Sequence, residues 1–346
     1  MSIPCQIERR GPQKILHWLL PRLRAEETVQ YELRIHKAPE PTPSVQFEHD
    51  RDQAQIHCAI QGKLFTTYHY GDAWARPFLY PVIGPHGLEV TRGWPVNDQI
   101  PGETTDHPHH KSIWVAHGEC NTVDNWSEEP GHGVQRHQEL RKLQSGPVFG
   151  QLQTKIHWRH PSGRKQFEEI RDIVVYDLPG GERLMDFTIT FHMSEGSVTF
   201  RDTKEGGLLS VRVATPLDGD KGGQISNGYG GVSEAETWGK KAPWCDYSGE
   251  IDGHPLGIAL LDHEDNPRYP TEWHVRDYGL MTANCFGWRH FRPHSNERGD
   301  MTFKKGARQS WRYRMFIHQG NAIRANIADR FFDFIAPPKP EISPGA

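Results

Sequence analysis

Between Asp106 and Glu119 the chain reads DHPHHKSIWVAHGE, which sets four histidines and two carboxylates within fourteen residues. Imidazole titrates near neutral pH and is also the commonest metal ligand. Three chemistries fit this density. His107, His109 and His117, joined by Glu119 or Asp106, would supply the three or four donors of a divalent metal. Without a metal, one histidine would act as general acid or base while the others hydrogen-bond a polar ligand. In the third reading, Asp106-His107-Pro108 is a turn and the histidines only satisfy local hydrogen bonds. The metal-free site is taken forward, with the other two left open. On a strand, His107 and His109 would share one face and His110 the other, with His117 joining His110 only across a bulge.

A second stretch, Arg201-Asp202-Thr203-Lys204-Glu205-Gly206-Gly207, runs into an alternating segment. Leu208, Ser210 and Arg212 share one parity there, and Leu209, Val211 and Val213 the other. The second set reads as core. The first carries Arg212, whose fork suits a carboxylate or ligand oxygen unless the face is simply solvated. Lys204 and Glu205 would pair with each other or serve in proton transfer. A third stretch, Thr271 to Trp288, alternates Trp273, Val275 and Asp277 against Glu272, His274 and Arg276, with Asn284 further on. A tryptophan face against a sugar ring, with Asp, Arg and His nearby for hydroxyls, suits carbohydrate; the competing reading places Trp273 in the core. Glu236–Gly249 adds two tryptophans and a tyrosine in a Gly/Pro-rich loop, and RPFLYP (76–81) and TRGWP (91–95) add further Arg and aromatic content.

The elements that must position these groups are strands. Period-two alternation marks Gln151–Trp158, Leu184–Met193 and Trp311–Ile317, and strand composition marks Gln53–Ile60, Lys63–Tyr70, Arg164–Tyr176, Leu208–Ala214 and Gly257–Asp262. Turn signals such as Pro179-Gly180-Gly181 and Asp265-Asn266-Pro267 separate them. Residues 11–27 read as a short helical or irregular arm, and the alternating prolines of 37–44 as an extended linker. Ile323, Ile327, Phe331 and Phe334 predict one helix that ends at Pro337-Pro338, followed by a disordered tail over 337–346. The expectation is an all-β protein, a large antiparallel β-sandwich over residues 45–336 with a C-terminal helix.

Composition bounds the function. The formal net charge of −4 leaves no basic surplus for nucleic acid or an anionic membrane surface. Five scattered cysteines form no CxxC pair, which argues against a disulfide framework or thiolate zinc. No stretch approaches the ~20 apolar residues of a membrane helix, and no leader pattern is seen, so a cytoplasmic location is expected. Nucleotide-binding glycine motifs, HExxH and GxSxG are absent.

The segments RPFLYPV, VTRGWP, DHPHHKSIWVAHGECN, DTKEGGLLSVRVA, GKKAPWCDYSG and EWHVRDYGLMTANCFG resemble a bacterial family of unknown function labelled "methane oxygenase PmoA-like", over about residues 60–320. Particulate methane monooxygenase subunits are membrane proteins, and without a spanning segment an oxygenase activity is not expected. The resemblance implies a fold similar to galactose-mutarotase-like supersandwiches, which use a histidine acid and a carboxylate base on a sugar, although His107, His109 and His110 are denser than that pattern requires. On this implication His109 or His110 is the general acid or base, and Glu205 or Asp277 its carboxylate partner. His107, His117, Lys204, Arg212, Trp273, His274, Arg276 and Asn284 orient a small sugar or glycoside. The reaction is an epimerisation, hydrolysis or elimination. No cofactor is expected; a divalent metal on His107, His109 and His117, or a non-catalytic sugar-binding role, are the alternatives. The oligomeric state is left open.

Overall fold

A computed structural model of the chain describes residues 3–20, 23, 26–34 and 42–341. Strands β1 (Cys5–Arg10) and β2 (Gln13–Trp18) form a hairpin. Next come β3 (Val45–Asp50), β4 (Gln55–Ile60), β5 (Lys63–His69), β6 (Phe78–Val82) and β7 (Ile113–His117). The chain then crosses to a second layer with β8 (Val134–Gln144), β9 (Phe149–Arg159), β10 (Lys165–Asp177) and β11 (Arg183–His192). After the short β12 (Val198–Phe200), β13 (Gly206–Arg212) returns to the first layer. β14 (Gln224–Asn227), α1 (Ser233–Thr237), β15 (Trp244–Ile251) and β16 (His254–Asp262) follow. β17 (Glu272–Arg276), β18 (Leu280–Asn284), α2 (Trp288–Phe291), β19 (Met301–Phe303), β20 (Arg308–Gln319) and α3 (Ile327–Ile335) complete the chain.

These strands build two eight-stranded antiparallel sheets, ordered β17-β18-β13-β7-β6-β5-β4-β3 and β14-β15-β16-β20-β11-β10-β9-β8. The expected all-β sandwich is therefore what the chain adopts. Alternate residues of both sheets meet between the layers, where Val115, Leu209, Val211, Trp273 and Val275 of the first sheet join Ile173, Phe187, Ile258, Met315 and Ile317 of the second in one apolar core. At one end of this core Phe200 lies 5.2 Å from Phe191, 5.7 Å from Phe167 and Phe286, and 6.3 Å from Trp311.

The outer face of the second sheet packs against α3 through Leu184, Ala259, Leu261 and Phe316 against Ile327 and Phe331. The outer face of the first sheet carries Phe78, Trp114, Ala116 and Leu280, roofed by Trp126 and Tyr278 rather than by a helix. This roofed face holds the histidine segment.

Two expectations are corrected. Within the 11–27 arm, read as helical or irregular, residues 13–18 form a strand: Gly11, at φ 59°, turns β1 into β2, and the buried Gln6 ties the hairpin down by accepting the Val148 and Phe149 N–H groups. The last helix begins only at Ile327, because Asn326 takes a left-handed conformation that ends the preceding turns. Of the linker, residues 37–41 lie outside the described residues, as do residues 342–346 of the tail.

Replacing the core aromatic Phe200 by Ala should destabilise the fold by about 3–5 kcal/mol, the range for deleting a buried phenylalanine. Urea unfolding followed by tryptophan fluorescence measures it; a loss under about 1 kcal/mol would place Phe200 outside a tightly packed core.

Candidate functional site

The histidine segment is a turn and not a strand. His107 has φ 47°, and the His110 N–H closes on the His107 carbonyl at 2.9 Å. This brings His107 and His110 onto the same side, their rings parallel at 4.8 Å and 2°, where a strand would have set them apart. His110 stacks in turn on Trp114 of β7 at 5.2 Å, and His107 on Tyr278 at 4.8 Å. His109 meets His110 edge-on at 4.4 Å.

Two fully buried arginines hold this turn. Arg92 Nη1 donates to Asp106 Oδ1 (2.5 Å) and to the Asp106 carbonyl (2.8 Å), while Nη2 donates to the carbonyls of His107 (3.0 Å) and His110 (3.2 Å). Arg212, on the outer parity of β13, donates to the same Asp106 Oδ1 at 2.7 Å and stacks over Tyr278 at 5.0 Å. Both side chains are 0% exposed. Burial raises the Asp106 carboxyl, but Arg212, the His107 hydrogen bond and Arg92 outweigh it and hold the group below the usual range. On the other side, Arg76 and Lys111 share Glu128, and Arg76 also grips the His109 and Trp126 carbonyls.

These bonds fix protons on particular ring nitrogens. Arg212 Nη1 can only donate, so His110 Nδ1 accepts at 3.4 Å and the His110 proton sits on Nε2. Burial, then the cationic surroundings of His109, Arg212, His107 and Arg92, push His110 well below the ordinary imidazole value. His109 is pushed down to about 4 by burial and then by Arg76, His107 and Lys111, against Glu128. His274 donates from Nδ1 to the Lys204 carbonyl, which leaves an Nε2 lone pair that is buried and without a partner. Burial takes it down to about 4 as well, despite the neighbouring Glu205.

Register places His274 across the sheet from the histidine turn. Trp114, Ser210, Thr282 and His274 are successive cross-strand partners, so His274 lies three strand spacings, about 14 Å, from Trp114. Glu205 enters from the β12–β13 connection. Burial raises its carboxyl, but the Lys204 hydrogen bond and the fields of His274, Lys204 and His109 hold it below the usual range. The fields of both histidines thus reach Glu205. The Gly206-Gly207 step makes this approach possible: Gly206 has φ 112°, and a Cβ on Gly207 would lie 2.0 Å from the Ala283 carbonyl. The half-exposed Asp106, His107, Lys204 and Glu205, with Arg276 lying over Tyr278, are taken together as the mouth of the candidate site.

Residues 55–331 match a family of unknown function, DUF6807. The chain belongs to this family. No curated protein matches it. Similar solved structures include a GalM/aldose epimerase homologue from C. elegans, 6% identical with a TM-score of 0.32, covering 81% of this chain and 100% of that one. A galactose mutarotase related enzyme from Lactobacillus acidophilus is 8% identical with a TM-score of 0.29, covering 80% and 97%. Heparan sulfate lyase HepC from Pedobacter heparinus is 7% identical with a TM-score of 0.33, covering 74% of this chain and 35% of that one, so the chain spans about a third of the lyase's length.

Within this DUF6807 chain the sequence candidates divide. His107, His109, His110, Lys204, Glu205, Arg212, His274 and Arg276 lie on the outer face of the first sheet or at its mouth. His117 does not: it has the parity of Ile113 and Val115, packs on Phe200 and Phe286, and donates to the Arg201 carbonyl. The proposed trio His107, His109 and His117 is therefore split between two faces. Among the described residues no group of three or more His, Cys, Asp or Glu is arranged to hold a metal. Trp273 also faces the core, its indole N–H given to the Ala242 carbonyl. Asp277 is turned away at the β17–β18 turn, its carboxylate against Gly219. Asn284 is fully buried and ties the 203–204 segment to the 286–287 turn, donating to the Thr203 and Lys204 carbonyls and accepting from the Phe286 and Gly287 N–H groups.

Sequence reasoning passed over Arg92, Arg76, Glu128, Tyr278 and Asp218. Arg92 and Arg76 lie in TRGWP and RPFLYP, whose signal was an arginine beside aromatic and proline residues ahead of the histidines. Asp218 is fully buried behind Arg212, neither of its oxygens has a partner, and burial pushes its carboxyl up to about 7.

Replacing Asp106 by Ala strands two buried guanidinium groups and should cost about 3–5 kcal/mol, with Asp106→Asn intermediate. Denaturant titration of the variants measures it; a loss below about 1 kcal/mol for Asp106→Ala would mean that the arginines do not depend on this carboxylate.

Proposed function

We propose that this chain is a carbohydrate-active enzyme that transfers protons on a sugar or glycoside, in a reaction of the epimerase, hydrolase or lyase type. One observation carries the reading. His109 and Glu205 come from separate segments, the field of His109 reaches Glu205 and that of Glu205 reaches the Tyr278 phenol; both are unprotonated at neutral pH, and burial pushes the phenol up to about 12. Two proton acceptors and one neutral O–H donor on one rim are what removal of a proton at one sugar atom and delivery at another require. The rims also suit polyols. Asp106, Lys204, Glu205 and Arg276 offer donors and acceptors of both kinds.

In this assignment Glu205 or His109 takes the proton, and Tyr278 or a water returns it. His110, pinned by Arg212 and fully buried, positions the turn and is not the transferring group. His274 supports Glu205 from beneath the mouth. Asp277 has no part.

The test is an NMR screen of free sugars and glycosides for anomeric exchange or product signals, with His109→Gln and Glu205→Gln variants beside the parent. Each variant should lose about 10²–10⁴ in kcat while keeping the parent's thermal stability. Because His109 must be unprotonated (about 4) and Glu205 ionised (below its ordinary value), kcat/KM should fall as pH drops through roughly 4 and stay flat from about pH 6 to 9, since Tyr278 keeps its proton there. Saturable sugar binding with no turnover would replace the enzyme by a binding protein, and a bell centred at pH 7 would assign the chemistry to other groups.

A further inference from the structure

The cations at the His109–His110 end outnumber the carboxylates that touch them. Asp106 is shared by Arg92 (2.5 Å) and Arg212 (2.7 Å), and Glu128 by Arg76 (3.1 Å) and Lys111 (2.7 Å). All four cationic side chains are buried, none more than 4% exposed. Glu103 and Asp124 add their fields to Arg92 and Arg76 but do not touch them: Glu103 accepts the Gly93 and Trp94 N–H groups, and Asp124 the Trp126 and Ser127 N–H groups and the Ser127 hydroxyl. Asp218, pushed up to about 7, adds only part of a charge behind Arg212. A buried cation that must share its one contacting carboxylate keeps donor capacity unused, and a bound anion can take it up.

The same place lacks acceptors. His110 Nε2, Trp114 Nε1 and Trp126 Nε1 are buried and have no hydrogen-bond partner among the described residues. Their rings lie together, with centroids 5.2 Å (His110–Trp114), 5.3 Å (His110–Trp126) and 5.5 Å (Trp114–Trp126) apart. The tryptophan nitrogens can only donate, and the Arg212 bond makes His110 Nε2 a donor too. Orphaned buried donors cost about 1–3 kcal/mol each and mark a place where an acceptor belongs. Cations that share their contacting carboxylates and orphaned donors call for one kind of group, an anionic oxygen that accepts and never donates.

We propose that the His109–His110 end of the site receives an anionic substituent of the sugar, a carboxylate or an ester sulfate or phosphate, so that the substrate class is acidic carbohydrate. This inference rests on the carbohydrate reading above. It differs from it in naming charge as the basis of selection: neutral sugars engage the mouth, and the anion engages the buried donors through charge-assisted hydrogen bonds.

Titration calorimetry on the full chain tests it with matched ligands: methyl hexosides, the corresponding methyl hexuronides, and their 6-sulfates and 6-phosphates, each at about 50 mM and 500 mM salt. Inorganic sulfate, inorganic phosphate and acetate serve as sugar-free probes. The acidic sugars should bind at least tenfold more tightly than their neutral partners, with the gap narrowing at high salt. Preference for the hexuronide assigns a carboxylate; equal or better binding of the sulfate or phosphate assigns a tetrahedral anion, and both support the proposal. Neutral hexosides that bind as tightly as the acidic ones overturn the anion assignment and leave the carbohydrate reading standing. Binding of the sugar-free anions alone overturns the carbohydrate reading and keeps the anion site, and binding of nothing overturns both. Trp126→Phe keeps the ring and deletes the N–H; it should narrow the acidic-to-neutral ratio severalfold, and an unchanged ratio would overturn the donor assignment.

Discussion

The site depends on one carboxylate shared by two buried guanidinium groups. Asp106 lies 2.5 Å from Arg92 and 2.7 Å from Arg212. Arg92 comes from the segment after β6 and Arg212 from the end of β13, so this single group ties a loop to the sheet beneath it. Planar forked donors suit such a joint, because each guanidinium reaches a carboxylate and several carbonyls at once. Arg92 does so for the carbonyls of Thr104, Asp106, His107 and His110, and thereby sets the shape of the histidine turn.

The sandwich explains why the turn can be held so firmly. β7, β13 and β18 sit in the interior of their sheet, and their inward residues are locked in the core between the layers. Their outward residues, Trp114, Ser210, Arg212, Leu280 and Thr282, therefore form a rigid floor. The segments over that floor carry the chemistry, in keeping with the general division between scaffold and functional loop. Ring stacking from Trp114 through His110 and His107 to Tyr278 joins floor to roof.

Much of the fold was legible in the sequence, and the site only in part. Alternation in Leu184–Met193 and Trp311–Ile317 matched strands β11 and β20 because one residue in two meets the core. Parity also put Arg212 on the face away from Leu209 and Val211. It could not place Trp273, since both sides of β17 are buried and alternation there marks no solvent side. It misplaced His107 and His110 because the argument assumed a strand, and a left-handed residue at His107 turns the chain instead. His117 sat on the strand as parity describes, but toward the core. The partners of the histidines were hardest to see: Arg76, Arg92 and Glu128 are set beside them by tertiary contacts that leave no local pattern.

The central claim is that burial keeps His110 and His274 neutral, and that the Arg212 and Lys204 hydrogen bonds fix their tautomers. Long-range ¹⁵N–¹H correlation spectra of the imidazole rings read this directly. At pH 6.5 the account predicts His110 protonated on Nε2 and His274 protonated on Nδ1, neither titrating until the pH falls well below 6. Ring signals averaged between tautomers, or a midpoint near the ordinary imidazole value for either residue, would contradict it.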